Sequence, residues 1–256
     1  LGLFVLSIAI PIVYVVLASF MDPNVLNNQG LSFKIKDWTL DAYRRVLENA
    51  MIWRGFLNSF LYSLAFTVIS VFVTLLAAYP LSKKEFVGRE LFNIIFLITM
   101  FFGGGMIPTF ILINQLHLVN TVWAILIPGA FNVWNMILAR TYYQSIPKEL
   151  REASAIDGAG KLSQFFHVTL PGIMPSFWFL LMTRIIGSLQ MFDIVYTLTG
   201  GGPSRSTTTL VVYIYDTAFK SLDKTGYATA MSEVLFGFIM IITVIMYTIM
   251  NKTSDD

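Results

Sequence analysis

From Phe56 to Leu81 the chain runs FLNSFLYSLAFTVISVFVTLLAAYPL without one Asp, Glu, Lys or Arg. So long an apolar run suits hydrocarbon rather than water, and in hydrocarbon a single segment must be helical to satisfy its own backbone. A bilayer core takes roughly 20 residues of helix. Six segments meet that requirement. The first runs from Leu1 to about Phe20, with Pro11 placed to kink it. The second is the run quoted above, and the third extends from about Leu91 to Leu116. The fourth covers about Val122 to Ala139, the fifth about Gly172 to Thr197, and the sixth about Ala228 to Met250. HLVNT, between the third and fourth, has room only for a tight reversal. The expectation is an all-α membrane protein of about six transmembrane helices. It divides into a first helix with its loop, residues 1–55, and a core, residues 56–256.

Composition narrows the chemistry. Apolar residues make up 56% of the chain and charged residues 12%, which argues against a water-soluble globular domain. Lys and Arg number 17 against 15 Asp and Glu, so no basic excess points to nucleic acid. There is no Cys, and the two histidines, His117 and His167, lie too far apart in sequence to form an ordinary zinc site alone. They read as structural, and no metal site is expected. Leu1 opens inside an apolar run with no Met and no basic flank before it. We therefore expect a short N-terminal tail ahead of it, and a first span rather than a cleavable signal, because a second span follows.

The connections alternate between two sides. SKKEFVGRE, the insert from Arg140 to Pro171 and the tail NKTSDD share one side; the segment from Met21 to Gly55, the short turn and the loop from Leu198 to Tyr227 share the other. Lys and Arg tie between them, but on the first side they crowd closer to the spans, which favours it as cytoplasmic.

The insert, SIPKELREASAIDGAGKLSQFFHVTLPG, carries its own helix signals. Pro147 suits a first turn, and Glu149 and Glu152 lie near the positive end of the helix dipole. Gly158 suits the position just past a helix end. Leu162, Phe165, Phe166, Thr169 and Leu170 then recur at helical spacing, and Pro171 is expected to stop that helix. The element reads as helix, bend, helix. Ala153, Ser154 and Ala155 permit close approach of another backbone, and two helices this short need a surface to dock on. That surface is either the chain's own bundle or another protein.

Here the residues carry a resemblance. Glu152-Ala153-Ser154, three residues to Gly158, nine to Val168, then Leu170-Pro171 resembles the EAA motif of binding-protein-dependent ABC importer permeases, written EAA, three residues, G, nine residues, I, one residue, LP. Ser154 stands for the third Ala and Val168 for Ile, and both preserve size. The resemblance implies that 140–171 is a cytoplasmic coupling loop between spans four and five, seated in a groove of an ABC ATPase. Glu152 would pair with a basic residue there, Gly158 would make the bend, and Ala153, Ser154 and Leu170 would pack in the groove. Gly160-Lys161 invites a phosphate-loop reading, but Ala155 and Leu162 stand where that loop needs Gly and Ser or Thr. The expectation is no ATP site and no cofactor in this chain, with ATP and Mg bound by the partner ATPase.

TLTGGGPSRSTTTLVVYIYDTAF, Thr197 to Phe219, looks like the outer loop of sugar-importer permeases of the maltose and glycerol-phosphate type. Gly103 to Pro128 and IPKELREASAIDGAG look like their companion permease. The chain's place in a heterodimer stays open, while both marks imply carbohydrate. Polar groups inside spans are costly and are functional candidates by default. Span five supplies Arg184, Gln190, Asp193 and Tyr196 beside Trp178 and Phe192, and span four Asn132, Trp134 and Asn135. The competing reading is that they bond neighbouring helices. Asn58-Ser59 reads as a cap of span two, and the triglycines at Gly103 and Gly200 as sites of backbone bending.

The resemblance thus implies a multi-pass permease subunit of the bacterial inner membrane, not itself an enzyme. It would work with a second, homologous permease, two ATPase subunits and an extracytoplasmic sugar-binding protein, and move an oligosaccharide by alternating access. The alternative is an ion-driven secondary carrier using Asp193 or Glu233; such carriers are built from repeated halves, and no repeat is visible. An intramembrane enzyme would need a nucleophile-base or metal constellation, and none is apparent. Glu152→Ala and Gly158→Leu are predicted to reduce transport to background while membrane insertion is retained. Normal substrate-stimulated ATP hydrolysis in either variant would contradict the coupling role.

Overall fold

The computed structural model describes residues 2–221 and 225–254. Leu1, residues 222–224 of the 198–227 loop and the last two residues of the tail lie outside the described residues. The described residues are helical, with no strand among them beyond an isolated bridge between Met21 and Trp38. In chain order the helices are α1 (Gly2–Ser19), α2 (Pro23–Gln29), α3 (Asp41–Glu48), α4 (Ala50–Ser82), α5 (Arg89–Phe101), α6 (Met106–Gln115), α7 (Trp123–Leu126) and α8 (Val133–Ser145). They continue as α9 (Lys148–Ile156), α10 (Lys161–Gln164), a wide turn over Phe165–Thr169, α11 (Leu170–Gly172), α12 (Met174–Leu189), α13 (Asp193–Leu198), α14 (Leu210–Lys220) and α15 (Thr225–Ser254).

Among the described residues three helices are long and apolar enough to cross a bilayer: Gly2–Ser19, Ala50–Ser82 and Thr225–Lys252. Two bent pairs, Arg89–Phe101 with Met106–Gln115 at 114° and Lys161–Gly172 with Met174–Leu189 at 71°, raise the number to five if each is one span. The differences from unbroken spans have local causes. At Gly103–Gly105 the third is broken, where Gly105 takes φ +81°, open to glycine and costly to residues with a Cβ. Pro128, which has no N–H to give, and Gly129 at φ +77° interrupt the fourth, so that α8 starts afresh with the Asn132 side chain accepting from the Asn135 N–H. The fifth pauses between Leu189 and Asp193.

The chain divides into two units, Leu1–Leu61 with Gln190–Ile242 and Tyr62–Leu189 with Thr243–Asp256. In the first unit, Asn49 Oδ1 accepts from the Met51 N–H at the start of α4. Asn58 and Ser59, expected to cap that helix, lie two turns inside it and do something else. Asn58 Nδ2 donates to the carbonyls of Ser206 (2.9 Å) and Thr208 (3.0 Å), and Ser59 Oγ accepts from the Leu210 N–H (2.9 Å). Ser59 therefore satisfies an orphan donor at the start of α14. Beside it the Thr207 hydroxyl donates to the Gly202 carbonyl at 2.6 Å, and Gly201, at φ +82°, lies so close to Thr208 that a Cβ would sit 2.5 Å from its Oγ1.

The second unit is built on a core of Val71, Ala78 and Leu81 from α4, Met136, Ala139 and Tyr143 from α8, with Ile146, Ile173 and Leu180. α8 packs on α5 and on α12. Along α4, Ser63, Thr67, Ser70 and Thr74 repeat at helical spacing, fully buried, with hydroxyls that have no partner. Their contribution is small size, which lets helices approach closely.

Asn58→Ala removes both donors to the 206–208 carbonyls and is predicted to cost about 1–3 kcal/mol locally. Amide exchange across 199–210 should accelerate while α4 stays protected; unchanged exchange there would contradict the tether.

Candidate functional site

In the second unit the insert folds as an elbow. α9 ends with the Ala159 N–H donating to Ser154 O (3.0 Å) and the Gly158 N–H to Ala155 O (3.1 Å), and Gly158 sits at φ +84°, in the left-handed region, where a side chain is strained. Pro147 immediately precedes α9 rather than lying in its first turn. Pro171, expected to end the second helix, falls inside α11, and the helix breaks at Ile173 instead. Ahead of it the Leu170 N–H reaches five residues back to Phe165 O, and this widened turn accommodates a proline in the helix that follows.

The two arms of the elbow face different surroundings. Phe165 and Leu170 pack against the core of the second unit, and Thr169 is buried. Tyr79 meets Tyr143 edge-on at 5.4 Å and Phe165 at 5.5 Å, so three aromatic rings fasten the second arm to α4 and α8. The first arm is open. Glu152, Ala153 and Gly158 are exposed and Ser154 half-buried, while Leu150 and Ile156 (86% exposed) present apolar side chains outward; on the second arm Val168 is half-buried, and Leu162 (76%) and Phe166 are exposed as well. Of the two docking surfaces open to the insert, its second arm takes its own bundle, and its first arm and apex are left to something else. Gly160-Lys161 opens the four-residue α10 with no strand before it, so the phosphate-loop geometry is absent here.

The pathway candidates fall in both units. Gln190, Asp193 and Tyr196 lie in the first. Gln190 and Asp193 are exposed, and Tyr196 stacks on Phe192 (5.1 Å) and meets Tyr215 edge-on (5.2 Å). Trp134, Asn135 and Arg184 lie in the second. Trp134 is exposed and Asn135 buried, and the Arg184 guanidinium lies 5.7 Å from the Phe66 ring with Nε and Nη2 lacking acceptors. It is a cation held by an aromatic face.

Sequence reasoning missed four residues on α14. Tyr215 also meets Phe192 (4.8 Å) and Phe219 (5.1 Å), and Lys220 pairs with Asp216 at 2.6 Å while lying 4.9 Å from the centroid of Tyr196. Hydrogen bonding to Asp216, then to Tyr196, raises the lysine pKa, so the ion pair is complete below the ordinary lysine value and is lost only as pH climbs through the raised one. The signal available was the i, i+4 spacing of Tyr215 with Phe219 and Asp216 with Lys220. Beside this cluster a cleft of about 640 Å³ is lined by Arg45, Asn49, Arg205, Tyr213, Asp216 and Tyr227. Stacked rings next to amide, guanidinium and carboxylate groups have the chemistry that holds a hydroxyl-rich ligand.

The comparisons bear on this geometry. The family described as binding-protein-dependent transport system inner membrane component matches residues 49–255. The polygalacturonan/rhamnogalacturonan transport system permease protein YtcP of Bacillus subtilis is 33% identical over 174 residues, 68% of this chain and 61% of that protein. The sulfoquinovosyl glycerol transport system permease protein SmoG of Agrobacterium fabrum is 46% identical over 120 residues, 47% of this chain and 38% of that protein. The chain thus spans less than two thirds of the length of these relatives. Among solved structures, a chain of a bacterial ABC transporter involved in the import of the acidic polysaccharide alginate superposes with a TM-score of 0.79 at 27% identity, covering 98% of this chain and 92% of that one.

Phe165→Ala removes the ring that joins the elbow to Tyr79, and truncation of a packed Phe costs about 3 kcal/mol. Exchange across 148–170 is predicted to rise several-fold with α4 unaffected, and equal protection of the elbow would contradict the anchor.

Proposed function

The chain belongs to the binding-protein-dependent transport system inner membrane components, and from that premise we propose that it is a permease subunit of an ATP-driven importer of sugars or oligosaccharides. The observation that carries this reading is the elbow: one arm fixed to the bundle by Phe165 and Leu170, the other exposing Leu150 and Ile156 beside Glu152. A lever needs one end attached and one end free to be moved. In this reading the elbow faces the cytoplasm, the core of 56–256 crosses the membrane with α1 as an additional span, and the count reaches six when the broken segments are read as crossings. The free arm sits on an ABC ATPase. Glu152 pairs with a basic residue of that subunit, Ala153 and Ser154 permit close approach, and Gly158 makes the bend, while Leu170, expected in the groove, packs on its own bundle instead. ATP and Mg are bound by two such ATPase subunits; this chain supplies no catalytic group.

A second, homologous permease completes the pathway, and an extracytoplasmic binding protein delivers the ligand on the side carrying residues 21–55 and 198–227. The names of the relatives support carbohydrate as the cargo, and the Phe192, Tyr196 and Tyr215 rings beside Asp193 and Gln190 supply stacking faces and hydrogen-bonding groups for it. Arg184, Trp134 and Asn135, in the second unit, are separate pathway candidates. Transport into vesicles holding the assembled complex tests the reading. Uptake should require ATP and the binding protein and be indifferent to an ionophore; uptake without ATP that collapses with the ionophore would overturn it.

A further inference from the structure

A second cluster of charge lies where α4, α5 and α8 end together in the second unit. A cleft of about 280 Å³ is lined by Lys83, Lys84, Arg89 and Lys148, with Glu85 and Tyr143. Four cations face one carboxylate, and that carboxylate is weakly engaged: Glu85 lies 3.8 Å from Lys148 with both side chains largely in solvent. Lys83 rests its ammonium 4.7 Å from the Tyr79 ring. Arg89 Nε is buried with no acceptor, as is Nε of Arg140, whose guanidinium repels that of Arg89 while its Nη1 donates to Asn93 Oδ1. A buried donor on an under-neutralised cation calls for an anion that the chain does not provide.

The rim of the cleft identifies the source of that anion. Val87, 91% exposed, and Leu91, 61% exposed, lie in and just after the same loop, with the Phe86 and Phe92 rings tilted against each other at 5.9 Å. Cations bordered by exposed apolar side chains at the end of a membrane-length helix match a molecule that is anionic at one end and hydrocarbon at the other. We propose that this cleft binds the phosphate headgroup of an anionic phospholipid, with Lys84 and Arg89 on the phosphate and Val87 and Leu91 against the acyl chains. The site rests on membrane placement alone, so it stands or falls independently of what the protein imports. An acidic segment of a protein partner would satisfy the cations but leave Val87 and Leu91 uncovered.

The test uses the full-length subunit in its complex, in nanodiscs of phosphatidylcholine with a minor fraction of phosphatidylglycerol, with bound lipid counted by native mass spectrometry. Phosphatidylglycerol should be retained in preference to phosphatidylcholine, and the preference should fall about five-fold for each cation removed by Lys84→Gln and Arg89→Gln. Val87→Ser should weaken retention of the lipid without weakening binding of inorganic phosphate. Should Arg89→Gln fail to assemble, the exposed Lys84→Gln decides alone. Equal retention by wild type and Lys84→Gln would overturn the proposal. So would a Val87→Ser variant that retains the lipid as well as wild type does, or a loss of ATPase association in Lys84→Gln with lipid retention intact.

Discussion

A backbone N–H or carbonyl left unpaired in hydrocarbon costs several kcal/mol, and the structure is arranged around that cost. Helices carry the chain wherever it is apolar, and some interruptions have a local device that limits the damage. The Asn132 side chain takes up an N–H at the start of α8, and Ser59, on a neighbouring helix, takes up the Leu210 N–H. The Leu170 N–H reaches back to Phe165 just ahead of Pro171. The Leu170 device lies beside the 71° bend, while the 114° bend falls at Gly103–Gly105, where Gly105 takes a positive φ. Bent helices with defined ends give a transport subunit discrete elements that can move against one another.

The elbow uses the same logic at the edge of the bundle. Its second arm is held by ring contacts among Tyr79, Tyr143 and Phe165, and its first arm carries apolar groups that none of the described residues covers. Gly158 joins the two in a backbone conformation that resists replacement. In the proposed reading, force applied to α9 would pass through α10 and Phe165 to α4 and α8, against which Phe165 packs.

Much of this was legible in residue order. The apolar runs located α1, α4 and α15, and the spacing from Glu152 to Pro171 located the elbow, because both depend on local periodicity and turn chemistry. The breaks at Pro128-Gly129 and at Gln190 were harder to read, since an apolar run looks the same whether one helix or two fill it. Asn58 and Ser59 were misread as a cap of their own helix because their partners lie some 150 residues on, at Ser206, Thr208 and Leu210. The Tyr196, Tyr215 and Lys220 cluster was invisible for the same reason: its members come from two helices whose pairing no local pattern records. Which arm of the insert is buried was likewise settled only by packing.

The central claim is that the exposed arm of the elbow seats on an ATPase. The chain contains no Cys, so Ile156→Cys introduces a single thiol at a site that is 86% exposed. In membranes holding the whole complex, a short bifunctional cross-linker anchored on that thiol is predicted to capture the ATPase subunit. The same thiol placed by Phe219→Cys, on the side assigned to the binding protein, should not capture it. Capture from position 219 and none from position 156, in complexes that still transport, would contradict the account.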